Sequence, residues 1–205
     1  MESKEKNTKE KILEEALKLF AQSGYMGTSM NDIASKLGVT KAALYKHYKS
    51  KQEILDSIIE KMNELDIERV KLYEMPEGDL EKVTAEYKET AFDKIKQFTK
   101  VQFLHWTEEE FSSCFRKMLT LEQYREPQMA QLYQNYLASG PLTYMEALFS
   151  GMLGDAGKAS QTALDFYGPI FLLYSIYDGA NDKSRVIKLL DEHMDHFSRE
   201  MQKNL

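Results

Sequence analysis

Between Asp32 and Glu53 the chain carries five lysines, at 36, 41, 46, 49 and 51, and no acidic residue. Ammonium groups at that density suit contact with a polyanion. The rest of the chain has the opposite balance. Residues 1–55 hold ten lysines and seven acids, whereas the remainder holds 17 basic residues and 26 acids. The net charge of −6 therefore hides a small basic region on an acidic body. Reactive constellations are absent from the pattern: there is no nucleophile motif, no Gly-rich phosphate loop and no His-Glu-x-x-His, so no enzyme and no cofactor are expected. His193 and His196 stand at i, i+3 with no third ligand in view, so no metal site is expected either. Cys114 is the single cysteine, which excludes an intramolecular disulfide.

The elements that must hold the lysines read as helices throughout. Only ten Gly and four Pro interrupt 205 residues, and no strand alternation or internal repeat is visible. The expected fold class is all-α with about nine helices. Helix 1 runs from about Thr8 to Gln22 and ends at Gly24. Ser29 with Asp32 resembles a capping box for helix 2, with Thr28 as the alternative cap. Gly38 breaks helix 2, and Thr40 caps a short helix from Lys41 to about Tyr48. Ser50-Lys51-Gln52-Glu53 opens helix 4, which runs to about Tyr73. The stripe Leu80, Val83, Tyr87, Ala91, Ile95 and Phe98 predicts one long helix after Met75-Pro76-Glu77-Gly78. Further helices are expected from about Thr107 to Leu121, from Pro127 to about Phe149, from about Lys158 to Tyr177 with an interruption at Gly168-Pro169, and from about Lys183 to Gln202.

Helix 2, the turn Gly38-Val39-Thr40 and helix 3 make a helix-turn-helix. Ile33, Ala34, Leu37, Val39 and Leu44 supply its shared core, which leaves Lys41, Ala42, Tyr45 and Lys46 facing outward. Such a face enters a DNA major groove, where lysines reach phosphates or guanine and a small Ala meets a thymine methyl. The stretch Phe20, Gly24-Tyr25, Thr28-Ser29-Met30-Asn31-Asp32-Ile33-Ala34 and Leu37 through Leu55, including Leu44-Tyr45-Lys46-His47-Tyr48 and Lys49-Ser50-Lys51, resembles the N-terminal domain of the tetracycline-repressor (TetR) family. The likeness covers about a quarter of the chain.

The resemblance implies a homodimer with a helix-turn-helix domain at 1–52 and an effector-binding and dimerisation domain at 53–205. It implies phosphate contacts from Thr28, Ser29, Thr40, Tyr45, His47 and Lys51, with Lys41, Ala42 and Lys46 nearest the bases. The expected activity is transcriptional regulation, as a repressor released from a palindromic operator by a small-molecule effector. Two alternatives stay open: an activator or corepressor-dependent regulator of the same fold, and a helical interaction protein that has lost DNA binding.

Outside the motif the pattern is less specific. Large amphipathic side chains and a few polar handles nominate Phe98, Gln102, His105, Trp106, Phe115, Arg116, Tyr133 and Tyr136 for an effector pocket. The last two helices look apolar over more than one face, which nominates Leu164, Gly168, Phe171, Leu172, Ser175, Val186, Leu190, His193 and Phe197 for a dimer interface. The charged N-terminus has no apolar h-region and no apolar run is long enough to span a bilayer. A cytoplasmic protein with no membrane partner is expected.

Overall fold

The computed structural model describes residues 2–204. Those residues form eleven helices and no strands: α1 (Glu2–Ser23), α2 (Met30–Leu37), α3 (Lys41–Tyr45), α4 (Lys51–Leu72), α5 (Leu80–Glu89), α6 (Phe92–Thr107), α7 (Glu110–Glu122), α8 (Pro127–Leu137), α9 (Ser139–Leu153), α10 (Ala156–Gly179) and α11 (Lys183–Asn204). The all-α expectation holds. The helix count rises from nine because two expected helices are each broken once.

The first break falls at Thr90. Its hydroxyl donates back to the Glu86 carbonyl at 2.8 Å, and its ψ of 126° takes it out of the helical region. A β-branched residue that satisfies a helix-terminal carbonyl with its own side chain is a natural stop. The second break falls at Ala138, and Pro141 causes it. Proline has no N–H to offer the carbonyl four residues back and its ring crowds that carbonyl, so it sits only in the first turn of the helix that starts at Ser139. The Leu137 carbonyl that is left over accepts a hydrogen bond from the Tyr167 hydroxyl at 2.8 Å.

At Pro169 the expectation was the reverse and fails. Helix α10 continues through Gly168-Pro169 without a break. Both Pro169 and Asp165, whose carbonyl loses its donor to the proline, are exposed, so water can serve that carbonyl.

Two compact units divide the chain, residues 1–69 with 110–133, and residues 70–109 with 134–205. The boundary expected at 52/53 was drawn by expected role. The packing division instead falls late in α4 and adds α7 to the first unit. There α1 lies along α7 and α2 packs on α1 and α3. Its core is Ile12, Ala16, Leu17 and Phe20 of α1, Ile33 of α2, Leu44 of α3, Ile54, Leu55, Ile58 and Met62 of α4, and Phe115, Met118 and Leu119 of α7, all buried. Phe20 meets Tyr25 edge-on, with ring centroids 5.1 Å apart.

The second unit is built on α10, which packs against α9, α11 and α6. Phe149, Phe166 and Phe197 form a mutual cluster with centroids 4.9 to 6.0 Å apart. Phe103 stacks on Tyr174 at 5.2 Å and meets Tyr177 edge-on. Among the described residues no helix is long and apolar enough to cross a membrane.

Candidate nucleic-acid interface

Each end of α2 is set by a short-range bond. Ser29 is the N-cap: its Oγ accepts from the Asp32 N–H, and the Asp32 carboxylate accepts the Ser29 N–H at 2.8 Å. The same carboxylate oxygen accepts the Ser29 hydroxyl proton at 2.6 Å. At the other end Gly38 adopts φ 67°, ψ 27°, a left-handed conformation that costs a glycine nothing. The chain then turns, and the Thr40 Oγ accepts from Ala43 N–H to start α3.

Helix α3 is shorter than expected. It ends at Tyr45, with Lys46 still in the right-handed region and a turn through His47. The next cap explains the stop. Ser50 Oγ accepts the Glu53 N–H at 3.1 Å, and Glu53 Oε2 accepts the Lys49 N–H at 2.6 Å. The carboxylate reaches back one residue further than in a simple capping box and ties the chain between α3 and α4.

The two hydrogen bonds from Ser29 to Asp32 hold its carboxyl below the usual aspartate range. Folding therefore favours the ionised form. That contribution is complete above the ordinary aspartate range and is lost as pH falls through the lowered value. The amides of Ser29 and Asp32 are expected to keep their hydrogen-exchange protection down to about pH 4 and lose it below. Asp32→Asn should abolish the step. Protection that declines in parallel in the wild type and the variant would exclude this origin. Ser29→Ala should cost about 1 kcal/mol of stability in urea unfolding.

The structure sorts the nominated DNA-facing residues into three groups. Lys41, Ala42, Tyr45 and Lys46 are exposed on one side of α3, with Leu44 buried on the other. The Lys41 Nζ lies 5.7 Å from the centroid of the Tyr45 ring, so the two side chains share one face. Thr40 is exposed, and its hydroxyl proton is not used by the cap it accepts. His47 is half-buried, and its Nδ1 is buried without a hydrogen-bond partner.

Thr28, Ser29 and Lys51 need correction. Thr28 is buried, and its hydroxyl donates to the Gly24 carbonyl at 2.8 Å, so it closes the α1–α2 turn and does not point outward. Ser29 is exposed, but its hydroxyl proton is given to Asp32. Lys51 donates to the carbonyls of Tyr25 at 2.6 Å and Thr28 at 2.8 Å, and its cation lies 4.2 Å from the Tyr25 ring centroid. Burial lowers its pKa, while the negative charge of Glu122 opposes that shift. Two of its three donors therefore hold the turn that precedes α2.

Glu122 was not visible as a participant in the sequence. It is fully buried at the end of α7, and a methyl group on Gly24 would collide with its Oε1. Gly24 also has φ 80°, so the turn requires glycine on both counts. Lys51→Met should keep the aliphatic packing, orphan two carbonyls and cost about 1–3 kcal/mol in urea unfolding. An unchanged midpoint would show that water replaces the ammonium.

Val39 also departs from expectation. It is 43% exposed and not part of the shared core, and Leu37 is only half-buried. The left-handed Gly38 directs the chain so that the Val39 N–H returns to the Ala34 carbonyl while the side chain faces solvent.

With this geometry the comparisons with known proteins are informative. Residues 12–58 match the family described as bacterial regulatory proteins, tetR family. Over those residues the chain carries a tetR-family N-terminal domain. Among curated relatives, the biofilm operon icaADBC HTH-type negative transcriptional regulator IcaR of Staphylococcus epidermidis is 42% identical over 52 residues, 25% of this chain and 28% of that protein. IcaR of Staphylococcus aureus strain Newman is 41% identical over 51 residues, 25% of this chain and 27% of that protein. The matches thus span about a quarter of each tetR-family relative.

The fold likeness extends further. A transcriptional regulator (TerR/AcrR family) from Aquifex aeolicus VF5 superposes with a TM-score of 0.63 at 22% identity, covering 92% of this chain and 98% of that one. AibR in complex with isovaleryl coenzyme A and operator DNA superposes with a TM-score of 0.60 at 20% identity, covering 89% and 95%. At these identities the likeness is one of fold.

Beyond the tetR-family domain, the nominated pocket residues fall in both compact units. Phe98, Gln102, His105, Trp106 and Tyr136 are in the second, and Phe115, Arg116 and Tyr133 in the first. Within the second unit Trp106 meets both the His105 ring, at 5.2 Å, and the Tyr136 ring, at 6.3 Å. His105 is fully buried, with Nδ1 2.7 Å from Glu109 Oε2. Phe98 is half-buried against Tyr73, and Gln102 and Tyr133 are half-buried. Phe115 and Arg116 are buried inside the first unit.

The nominated dimer residues separate by helix. On α10, Leu164 (52% exposed), Phe171 (38%) and Leu172 (59%) face solvent, as does Ser175, and Gly168 is half-buried. Ile176 joins them and was missed. On α11 the nominated residues are engaged within the protomer. Val186, Leu190 and Phe197 are buried in the protomer's own core, and His193 sets Nε2 2.9 Å from the Phe166 carbonyl. The apolar stripe of α11 is used against its own chain, whereas Leu189 of the same helix is 40% exposed.

Proposed function

We propose that the chain is a homodimeric DNA-binding transcriptional regulator, and not an enzyme. The observation that carries this reading is the outward face of α3. Four exposed residues, Lys41, Ala42, Tyr45 and Lys46, stand on a helix whose other side is anchored by buried Leu44 and whose two ends are fixed by local caps. A rigid, positively charged, solvent-facing helix after a tight turn is what insertion into a major groove requires.

Thr40, Lys41, Tyr45, Lys46 and His47 supply the DNA contacts in this reading, and Ala42 lies against the bases. Thr28, Ser29 and Lys51 position the motif from behind. Self-association uses the exposed apolar face of α10, since a palindromic site calls for two copies related by a two-fold axis.

The sign of regulation is repression. IcaR, similar over the DNA-reading quarter, is a negative regulator by name. In this reading a small effector releases the DNA; that a protein of this fold takes both a small ligand and an operator is seen in AibR, whose complex holds isovaleryl coenzyme A together with operator DNA. The ligand must bind the DNA-free state more tightly than the DNA-bound one to act in this way.

A gel-shift titration of the full chain against its own upstream intergenic DNA, with excess competitor, tests the reading. Specific retardation that weakens steeply from low to physiological salt is expected, because lysine contacts release counterions. Failure to retard that DNA, together with no enriched site in a random-duplex selection, would replace this reading with that of a helical interaction protein.

A further inference from the structure

The exposed face of α3 is apolar in its middle and cationic at its edges. At about 100° per residue, Ala42 and Tyr45 fall at the centre of the exposed arc and Lys41 and Lys46 at its two margins. Buried Leu44 and half-buried Ala43 occupy the opposite side. The wheel holds through Lys46, which keeps a right-handed conformation.

These four positions include no Arg, Asn or Gln, the side chains that grip purine edges with two hydrogen bonds. They also include no acid, which would accept from cytosine. At its centre the face offers a methyl group and a phenol ring. In the major groove, the feature complementary to an exposed methyl or ring is the C5-methyl of thymine. The lysines at the margins are placed for the two phosphate backbones that border the groove.

We propose that the chain selects its DNA site through thymine 5-methyl groups packed on Ala42 and Tyr45, with Lys41 and Lys46 holding the flanking phosphates. The proposal rests on the DNA-binding reading above and names the substrate more closely: a half-site with thymines under the middle of α3. Guanine contacts by the lysines are secondary in this arrangement, so discrimination comes from shape and methyl burial more than from hydrogen bonds.

The test is chemical and works on any duplex that the protein itself selects. A site is enriched from random duplexes with the full-length protein. Each thymine in it is then replaced singly by deoxyuridine, which removes the 5-methyl and leaves base pairing unchanged. A roughly four-fold loss of affinity per critical methyl is expected, the size of one buried methyl-sized group. In Ala42→Gly the loss at one position should vanish, because the partner methyl is gone. Should that variant fail to fold, the same uridine series on Tyr45→Ala decides, the loss at the thymine under the ring vanishing if the methyl packs there.

Full affinity with uridine at every position would overturn the proposal and leave the DNA-binding reading standing. Loss at uridine that persists undiminished in both Ala42→Gly and Tyr45→Ala would also overturn it, since methyls would then act through duplex shape. A selection that enriches nothing would remove both readings together.

Discussion

Alanine at Tyr45 and at Lys46 lowers specific DNA affinity by about 1–3 kcal/mol each, and the double variant loses on the order of a hundred-fold or more. Both side chains are exposed on α3 and neither contributes to the core, so thermal unfolding should stay within about 0.5 kcal/mol of wild type. The two losses should differ in kind. Lys46→Ala removes a cation and should reduce the slope of log affinity against log salt by about one unit. Tyr45→Ala removes no charge and should leave that slope unchanged. The pair are sequence neighbours, so a coupling of a few tenths of a kcal/mol or more is normal. Anisotropy titrations at three salt concentrations provide the affinities and slopes, and thermal melts the stabilities. Unchanged affinity in both variants would take the reading off α3 altogether.

A charge placed on α10 should separate the protomers and remove operator binding. Leu172, 59% exposed, and Leu164, 52% exposed, are large apolar residues facing solvent on one helix. Across a two-fold contact Leu172→Glu sets like charges close to one another in a desolvated interface. Sedimentation should show a monomer. Affinity for a two-half-site operator should fall by about 10²–10⁴-fold, because the second half-site contact is no longer intramolecular.

The protomer itself should remain folded, since Leu172 has no place in its core. Leu190→Glu is the control. Leu190 is fully buried between helices of the second unit, so the same charge there should prevent folding outright. A Leu172→Glu protein that remains dimeric would remove the α10 face from the interface. A monomeric wild type would remove the dimer.

These two predictions differ in how far the sequence reached them. The α3 face was legible because its determinants are local. Ser29 is paired with Asp32 three residues on, Gly38 stands alone at the helix end, and Thr40 caps Ala43. Each of these bonds closes within one turn, and residue type at that spacing is nearly sufficient to specify it. The spacing of Leu44 against Lys41, Ala42, Tyr45 and Lys46 then follows from 3.6 residues per turn. The all-α fold class was legible for the same reason, as the sum of many helical periods.

What the sequence left open depends on partners far along the chain. Lys51 reads as a free surface cation until the carbonyls of Tyr25 and Thr28, 26 and 23 residues away, are brought to it. Thr28 reads as an outward hydroxyl until the turn places it over the Gly24 carbonyl. Glu122 carries no signal at all, because its burial depends on α7 docking against a glycine 98 positions earlier.

Helix α11 shows the limit most plainly. Its stripe at Val186, Leu190 and Phe197 was evident, but periodicity says only that a face is buried and not in whose core. Thus the sequence alone determined the helical class, the caps of α2, α3 and α4 and the outward face of α3, all set by interactions spanning a turn or two. Tertiary structure decided which apolar face stays inside and which charges are spent on the fold. Those choices depend on packing between elements that no local pattern encodes.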